Sequence, residues 1–272
     1  MTPPLAPART ARIPTVIRRM FALAFRALGP QHWWPGETPF EVCVGAILTQ
    51  NTAWTNVERA IANLRAARAL DPHAIHRMPL RRLAHLIRPA GYFNVKAHRL
   101  RSFIGFLLSR LGGQIQRIRD IPPDEARKML LSVNGVGPET ADSILLYAAG
   151  IPFFVCDAYT RRILHRHGLC SPDADYHALQ DIFHRALPDR DPSLYNEFHA
   201  LFVAIGKDFC RPRAPRCDAC PLGSLLTPAQ RPHIQNASTP PRTPARNPKA
   251  PLKSTPPPSR VTRIAPRKSP PG

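Results

Sequence analysis

The sequence is short of acid and of long apolar runs. Its 18 Asp and Glu stand against 38 Lys and Arg, for a formal net charge of +20 and a pI near 11.0. So few carboxylates over so many cations favour a polyanionic partner over a neutral metabolite, and nucleic acid comes first. No stretch approaches the roughly 20 consecutive apolar residues of a membrane helix, so no membrane partner is expected. Met1 to Arg12 is proline-rich without the apolar core of a signal peptide, which points to the cytoplasm, around the nucleoid. Sustained apolar/polar alternation of period two is also missing, which argues against strands. Cysteine is scarce, at positions 43, 156, 170, 210, 217 and 220, and in a reducing compartment the clustered ones suggest a metal centre rather than disulfides.

What is present is helical spacing. Phe21, Ala24, Phe25 and Leu28 recur at three- and four-residue intervals, as do Leu100, Phe103, Ile104, Leu107 and Leu108. Gly29-Pro30, Pro35-Gly36, Asp71-Pro72, Pro89-Ala90-Gly91, Ile121-Pro122-Pro123, Gly150-Ile151-Pro152 and Pro188 cut the chain into short helices. The expected class is all-α. Residues 1–12 are expected to form a flexible arm, residues 13–230 the folded domain, and residues 231–272 a disordered, basic, proline-rich tail. From Pro232 onward the tail has eight Lys/Arg and no acid, less than half of the net charge, so the folded part is basic too.

Two segments carry chemistry. Leu130 to Ala141 reads as a helix end, a turn on Gly135-Val136-Gly137, and a new helix opened by Pro138 with Ala141, Ile144, Leu145 and Ala148 on its inner face. Such a turn leaves backbone N–H groups free at a helix start, suited to a phosphate, although Gly-Val-Gly is also a common helix-to-helix turn. After Phe154-Val155-Cys156 comes Asp157, just before another apolar helix. By itself an aspartate there is most often an N-cap.

Together, V-N-G-V-G-P-E-T-A and F-V-C-D-A-Y-T-R-R resemble the helix-hairpin-helix and catalytic aspartate of the endonuclease III superfamily of DNA glycosylases. The resemblance implies a two-lobed helix-hairpin-helix fold with a cysteine loop at the C-terminal end of the domain, acting as a monomer on double-stranded DNA that contains damaged bases. It makes Asp157 the carboxylate that stabilises oxocarbenium-like charge on the sugar and helps activate the nucleophile. It also places Gly135, Val136, Gly137 and Lys96 at the DNA backbone. Bifunctional members carry a lysine one residue past Pro138, where this chain has Glu139. A carboxylate forms no Schiff base, so strand cleavage by that route is not expected; Lys128 and Lys207 are lysines off the motif.

Upstream, Trp33-Trp34-Pro35 and P-F-E-V-C-V-G-A-I-L-T-Q-N-T resemble the 3-methyladenine glycosylase branch of that superfamily, which also has Glu at the lysine position. This resemblance puts Trp33, Trp34, Phe40 and Glu139 around an alkylated purine, whose positive charge gains from an aromatic face. Gln50 would fill the gap left by a flipped base. Core packing is the plainer reading of the two tryptophans.

Cys210-x6-Cys217-x2-Cys220 matches three quarters of the superfamily's iron–sulfur loop, but the fourth position is Leu226. A [4Fe–4S] cluster normally takes four thiolates, so any cluster in the loop at 210–226 would have an incomplete ligand set. Zinc closed by a histidine, with His199 or His233 as candidates, and a degenerate loop are the competing readings. Cys43, Cys156 and Cys170 read as small core residues. An endonuclease III-type glycosylase/lyase for oxidised pyrimidines and a non-catalytic DNA-binding module remain the alternative functions. Glu139 with Trp33-Trp34 argues against the first, Asp157 against the second.

Overall fold

The computed structural model of the chain describes residues 12–31, 33 and 36–231, which lie within one compact unit. The expected arm up to residue 11, Trp34, and the tail from Pro232 lie outside the described residues. Among the described residues there is no strand. The helices are α1 (Ile13–Leu28), α2 (Pro39–Leu48), α3 (Trp54–Ala66), α4 (Pro72–Arg77), α5 (Leu80–Leu86) and α6 (Phe93–Leu111), then α7 (Pro123–Leu131), α8 (Pro138–Ser143), α9 (Ala158–Arg166), α10 (Tyr176–Ala186) and α11 (Pro192–Asp208). Breakers act where expected at Gly29, whose φ of 68° suits glycine and which ends α1, and at Pro72, Pro123 and Pro138, which open helices; Pro39 and Pro192, not among the expected breakers, open helices as well.

Two apolar cores divide the work. The larger is filled from α2 to α8, with Ile47, Val57, Leu100, Phe103, Leu130 and Ile144 among its fully buried side chains. The second is filled by α1, α9, α10 and α11, where Phe154 stacks on Phe183 at 3.6 Å between ring centroids and Phe198 meets both edge-on. The described residues therefore enter the second core first, build the larger one, and return. The chain crosses between them twice, once near Trp33 and once through the segment ending at Asp157.

The second crossing begins inside a helix. After α8 the backbone widens into a π-helical turn, Ile144–Ala148, and this shift in phase splits the side chains. Ile144, Leu145 and Ala148 enter the larger core, Leu146 enters the second, and Tyr147 packs against both. A single rigid element thus spans the two lobes just before the chain emerges at Asp157.

Below this junction Asp142 is fully buried on α8. It accepts from Arg127 of α7 through Nε (2.7 Å) and Nη2 (3.0 Å), and from Gln180 Nε2 of α10 at 2.7 Å. Gln180 also donates to the carbonyl of Phe154 at 2.7 Å. A charge so buried is tolerable only when paired and hydrogen-bonded, and here the pairing ties both hairpin helices to the segment leading to Asp157.

Candidate active site

Asp157 is the N-cap of α9. Its Oδ1 accepts from the Thr160 N–H at 2.8 Å, so the plain capping role is real. That role uses one oxygen. The other, Oδ2, lies 3.5 Å from His199 Nε2, and the far ring nitrogen of His199 is 2.6 Å from the Tyr147 hydroxyl. His199 comes from α11 and Tyr147 from the π turn, so three elements converge on one carboxylate. The side chains are 15 % exposed for Asp157 and 6 % for His199.

The second carboxylate of the site is Glu139, in the first turn of α8. Crowding by protein in the cleft, followed by the Asp157 charge, pushes its pKa up to about 6, against a weaker pull from His199. The Glu139 side chain is nonetheless exposed, and solvent screens part of this effect. For Asp157, burial pushes upward, but the adjacent His199 ring and the Thr160 N–H outweigh it and hold the carboxyl below its ordinary value. Two neighbouring carboxylates are thereby driven in opposite directions, one kept ionised and one more easily protonated.

The hairpin stands beside them. Gly135 has φ 85°, and a Cβ there would lie 2.2 Å from Arg99 Cγ, so both backbone conformation and close approach demand glycine. Gly137 faces open space and is exposed. Val136 behaves differently from its two neighbours. Its side chain is buried in the larger core and its N–H closes the turn on Val133 O at 3.0 Å, so it anchors the hairpin and has no N–H to offer a phosphate. Gln50 meets the hairpin directly, donating through Nε2 to Gly135 O and Thr140 Oγ1, both at 3.0 Å, while Arg99 donates to its Oε1.

Lys96 is a correction to the sequence reading. It is 1 % exposed, and its ammonium donates to Leu48 O (2.8 Å) and Ala90 O (2.7 Å). Burial, with the nearby Arg99 charge, lowers its pKa to about 8. It clamps the end of α2 to the turn before α6 and does not face DNA. Its position after a turn suggested a surface lysine; only the tertiary fold encloses it.

Trp33 is half-buried at the first crossing, with Lys207 Nζ 5.8 Å from its ring centroid. Gln31 N donates to Glu197 Oε1 of α11 at 2.7 Å, which ties this crossing to the helix that carries His199. Phe40, in the first turn of α2, packs against the larger core. Lys128 lines a separate cavity of about 320 Å³ with Asp124, Arg127, Phe153, Gln180, His184 and Arg190; neither Asp157 nor Glu139 borders it.

In the cysteine loop, Cys210, Cys217, Cys220 and Leu226 line one enclosed space of about 10 Å³, room for roughly one water. Leu226 is buried there and offers no donor. Arg166 Nη1 donates to Cys210 Sγ at 3.0 Å, and burial pushes the Cys220 thiol up to about 11, away from the thiolate a metal needs. Among the described residues no group of three or more His, Cys, Asp or Glu side chains is arranged to hold a metal ion. The loop as folded does not fit a four-thiolate cluster. His199 is engaged at Asp157, which removes it as the zinc ligand considered from sequence, and His233 lies outside the described residues.

Comparison with known proteins bears on this geometry. Residues 44–189 match the model of the HhH-GPD superfamily base excision DNA repair protein. A protein of Methanocaldococcus jannaschii named as a DNA repair glycosylase is 45 % identical over 208 residues, covering 76 % of this chain and 94 % of its own. Endonuclease III of Bacillus subtilis is 26 % identical over 195 residues, covering 72 % of this chain and 84 % of its own. Among solved structures, the 3-methyladenine DNA glycosylase of H. pylori bound to 1,N6-ethenoadenine superposes with a TM-score of 0.62 at 28 % identity, covering 72 % of this chain and 97 % of that one. A trapped endonuclease III–DNA intermediate, at 22 % identity and a TM-score of 0.68 over 78 % of this chain and 95 % of that one, shares the fold. No helix among the described residues is long and apolar enough to cross a membrane. The chain belongs to the HhH-GPD superfamily of base excision DNA repair glycosylases.

Proposed function

We propose that this glycosylase releases an alkylated purine from duplex DNA by hydrolysis and leaves the strand intact. The observation that carries the reading is the pair of carboxylates at the lobe junction, with Asp157 held ionised and Glu139 standing where a lyase needs an amine. The base is flipped into the cleft, against Trp33 and Phe40 and, from its sequence position, Trp34. The C1′–N bond breaks with its electron pair leaving on the base. A cationic alkylated purine departs neutral, which lessens the need for a strong acid. Positive charge then develops on the sugar, where the fixed Asp157 carboxylate stabilises it. Water adds to C1′ and its proton passes to the carboxylate. Gly135 and Gly137 supply the backbone approach to phosphate, and Gln50, held by the hairpin, is placed to enter the vacated stack.

The relative from H. pylori, a 3-methyladenine glycosylase with an etheno-purine bound, supports this choice of substrate class. The lyase alternative needs an amine at the sugar carbon, and Lys207, over the Trp33 ring, is the candidate it must use. One gel assay separates the two. Purified protein is incubated with duplexes carrying 3-methyladenine, 7-methylguanine, 1,N6-ethenoadenine, thymine glycol or an abasic site, with and without hot alkali and with borohydride. The expected outcome is cleavage of alkylpurine duplexes only after alkali, with no trapped adduct. A borohydride-stable adduct forming as fast as base release overturns the hydrolytic reading, and exclusive action on thymine glycol overturns the substrate.

A further inference from the structure

We propose that His199 is a positioning residue for base release, fixing the Asp157 carboxylate through a directional chain that begins at the Tyr147 hydroxyl. The inference rests on the reading of Asp157 as the carboxylate that faces the sugar.

The geometry gives each ring nitrogen a distinct task. His199 is buried on α11, its Nδ1 is 2.6 Å from the Tyr147 oxygen, and its Nε2 is 3.5 Å from Asp157 Oδ2. Burial, followed by the Asp157 and Glu139 charges, pushes Tyr147 far above the ordinary phenol range, so its hydroxyl keeps its proton. When that proton is donated to Nδ1, the neutral imidazole must carry its own hydrogen on Nε2, directed at Asp157. The chain has a single sense, from the Tyr147 O–H to Nδ1 and then to a buried Nε2–H that makes no other hydrogen bond and stands 3.5 Å from Oδ2, an electrostatic contact rather than a closed hydrogen bond. Each donor polarises the next, and the ring needs no charge to do this.

The supports of this arrangement are built in. Thr160 N–H occupies Oδ1, so His199 settles the remaining oxygen and with it the plane of the carboxylate. Gly206, two turns along α11, lies so close to Tyr159 that a Cβ would come within 2.3 Å of the ring, which holds α11 tight against α9. Among the described residues, His199 interacts with Asp157 at the start of α9, Tyr147 on the π turn and Glu139 on α8, and Cys156, just before α9, lies near Tyr147 and Asp157. The buried face of α1, with Ile17, Met20 and Ala24, adds none. A histidine in this place keeps Asp157 ionised while a like-charged Glu139 stands nearby.

The test uses the full chain with three variants, His199→Ala, His199→Gln and Tyr147→Phe, alongside Asp157→Asn. Histidine ¹⁵N spectra of the wild type should show His199 as the Nε2–H tautomer; an Nδ1–H tautomer overturns the proposal and requires no substrate. Single-turnover base release from dimethyl-sulfate-treated duplex should fall about 10- to 100-fold in His199→Ala, less than for loss of the carboxylate itself. Its acidic limb should move to higher pH, because the group that depresses Asp157 is gone. His199→Gln, which keeps a donor toward Asp157, should recover most of the rate, and Tyr147→Phe should give a smaller loss. A folded His199→Ala with the wild-type rate and acidic limb defeats the proposal, and so does a folded His199→Gln as slow as Asp157→Asn. If Asp157→Asn turns over normally, the reading of Asp157 fails. If Asp157→Asn is inactive while folded His199 variants match the wild type, only the role of His199 fails. Should His199→Ala not fold, the tautomer and His199→Gln decide.

Discussion

The hairpin cleft and the cysteine loop each depart from the superfamily pattern at one chemical position, with opposite results. At the cleft, Glu139 replaces an amine and the surroundings stay polar: Asp157, His199 and Tyr147 keep a carboxylate charged at the lobe junction. In the loop, Leu226 stands at the fourth thiolate position and the surroundings close over it, with about 10 Å³ left among three thiols and Arg166 bonded to one of them. A replaced ligand leaves a site when its neighbours still need a polar partner, and leaves a core when they do not. The contrast is between a lobe junction that stays polar and charged and a C-terminal loop that is closed by packing.

The largest effect that bears on this contrast is Asp157→Asn. Asparagine keeps the cap on the Thr160 N–H but loses the stabilised charge, so the melting temperature at neutral pH should fall modestly, while base release falls by at least about 10³-fold because the charge opposite the sugar is lost. Near-normal turnover in a quench-flow assay would place the chemistry elsewhere. Next comes Arg127→Ala, which leaves the buried Asp142 carboxylate without its charged partner and should cost about 3 kcal/mol in urea unfolding. A cost under about 1 kcal/mol would mean the pair does not hold the hairpin to the second lobe.

Leu226→Ala probes the loop in the same way. Removing a buried leucine should cost about 2 to 3 kcal/mol, with base release per folded molecule unchanged, and chelators should leave the wild-type melting temperature where it was. Stoichiometric iron and acid-labile sulfide in the purified protein, with melting lowered by chelation, would show that the loop opens to take a cluster.

The sequence made much of this legible, for local reasons. Gly29, Pro72 and Pro138 act on the backbone beside them, and helix limits followed; Gly135 was readable because φ 85° is a glycine conformation. Asp157 was legible only through its motif, since its cap role hides its second oxygen. Lys96 is enclosed partly by Leu48, 48 residues away, which local spacing does not reveal. His199 stands 42 residues from Asp157 and 52 from Tyr147 in sequence, and it drew notice only as a metal ligand. Its partners are brought together by the π turn, a phase shift that apolar spacing does not reveal. The Arg127–Asp142–Gln180 network was missed for a similar reason, although a charged residue among Ala141, Ile144 and Leu145 was its available signal.

The smallest effect sharpens the cleft half of the comparison, through the pH dependence of Glu139. Its ordinary value of 4.5 rises to about 6 in the folded protein, so the native state binds this proton more tightly than the unfolded chain does. Below pH 4.5 both states are protonated and the residue costs nothing. Between 4.5 and about 6 the unfolded chain ionises first, and above 6 the folded protein carries the full cost of a second carboxylate beside Asp157. Replacing Glu139 by Gln should therefore raise the melting temperature at pH 8 by roughly 1 °C, an amount kept small by the solvent around its exposed side chain, and the gain should vanish by pH 4. The sign is opposite for Asp157, whose depressed value contributes stability at neutral pH that is lost on acidification. Scanning calorimetry of wild type and Glu139→Gln across that range checks the difference. A variant less stable than the wild type at pH 8 would mean that Glu139 is held by a favourable partner in the folded state, and the two carboxylates would no longer be set against each other.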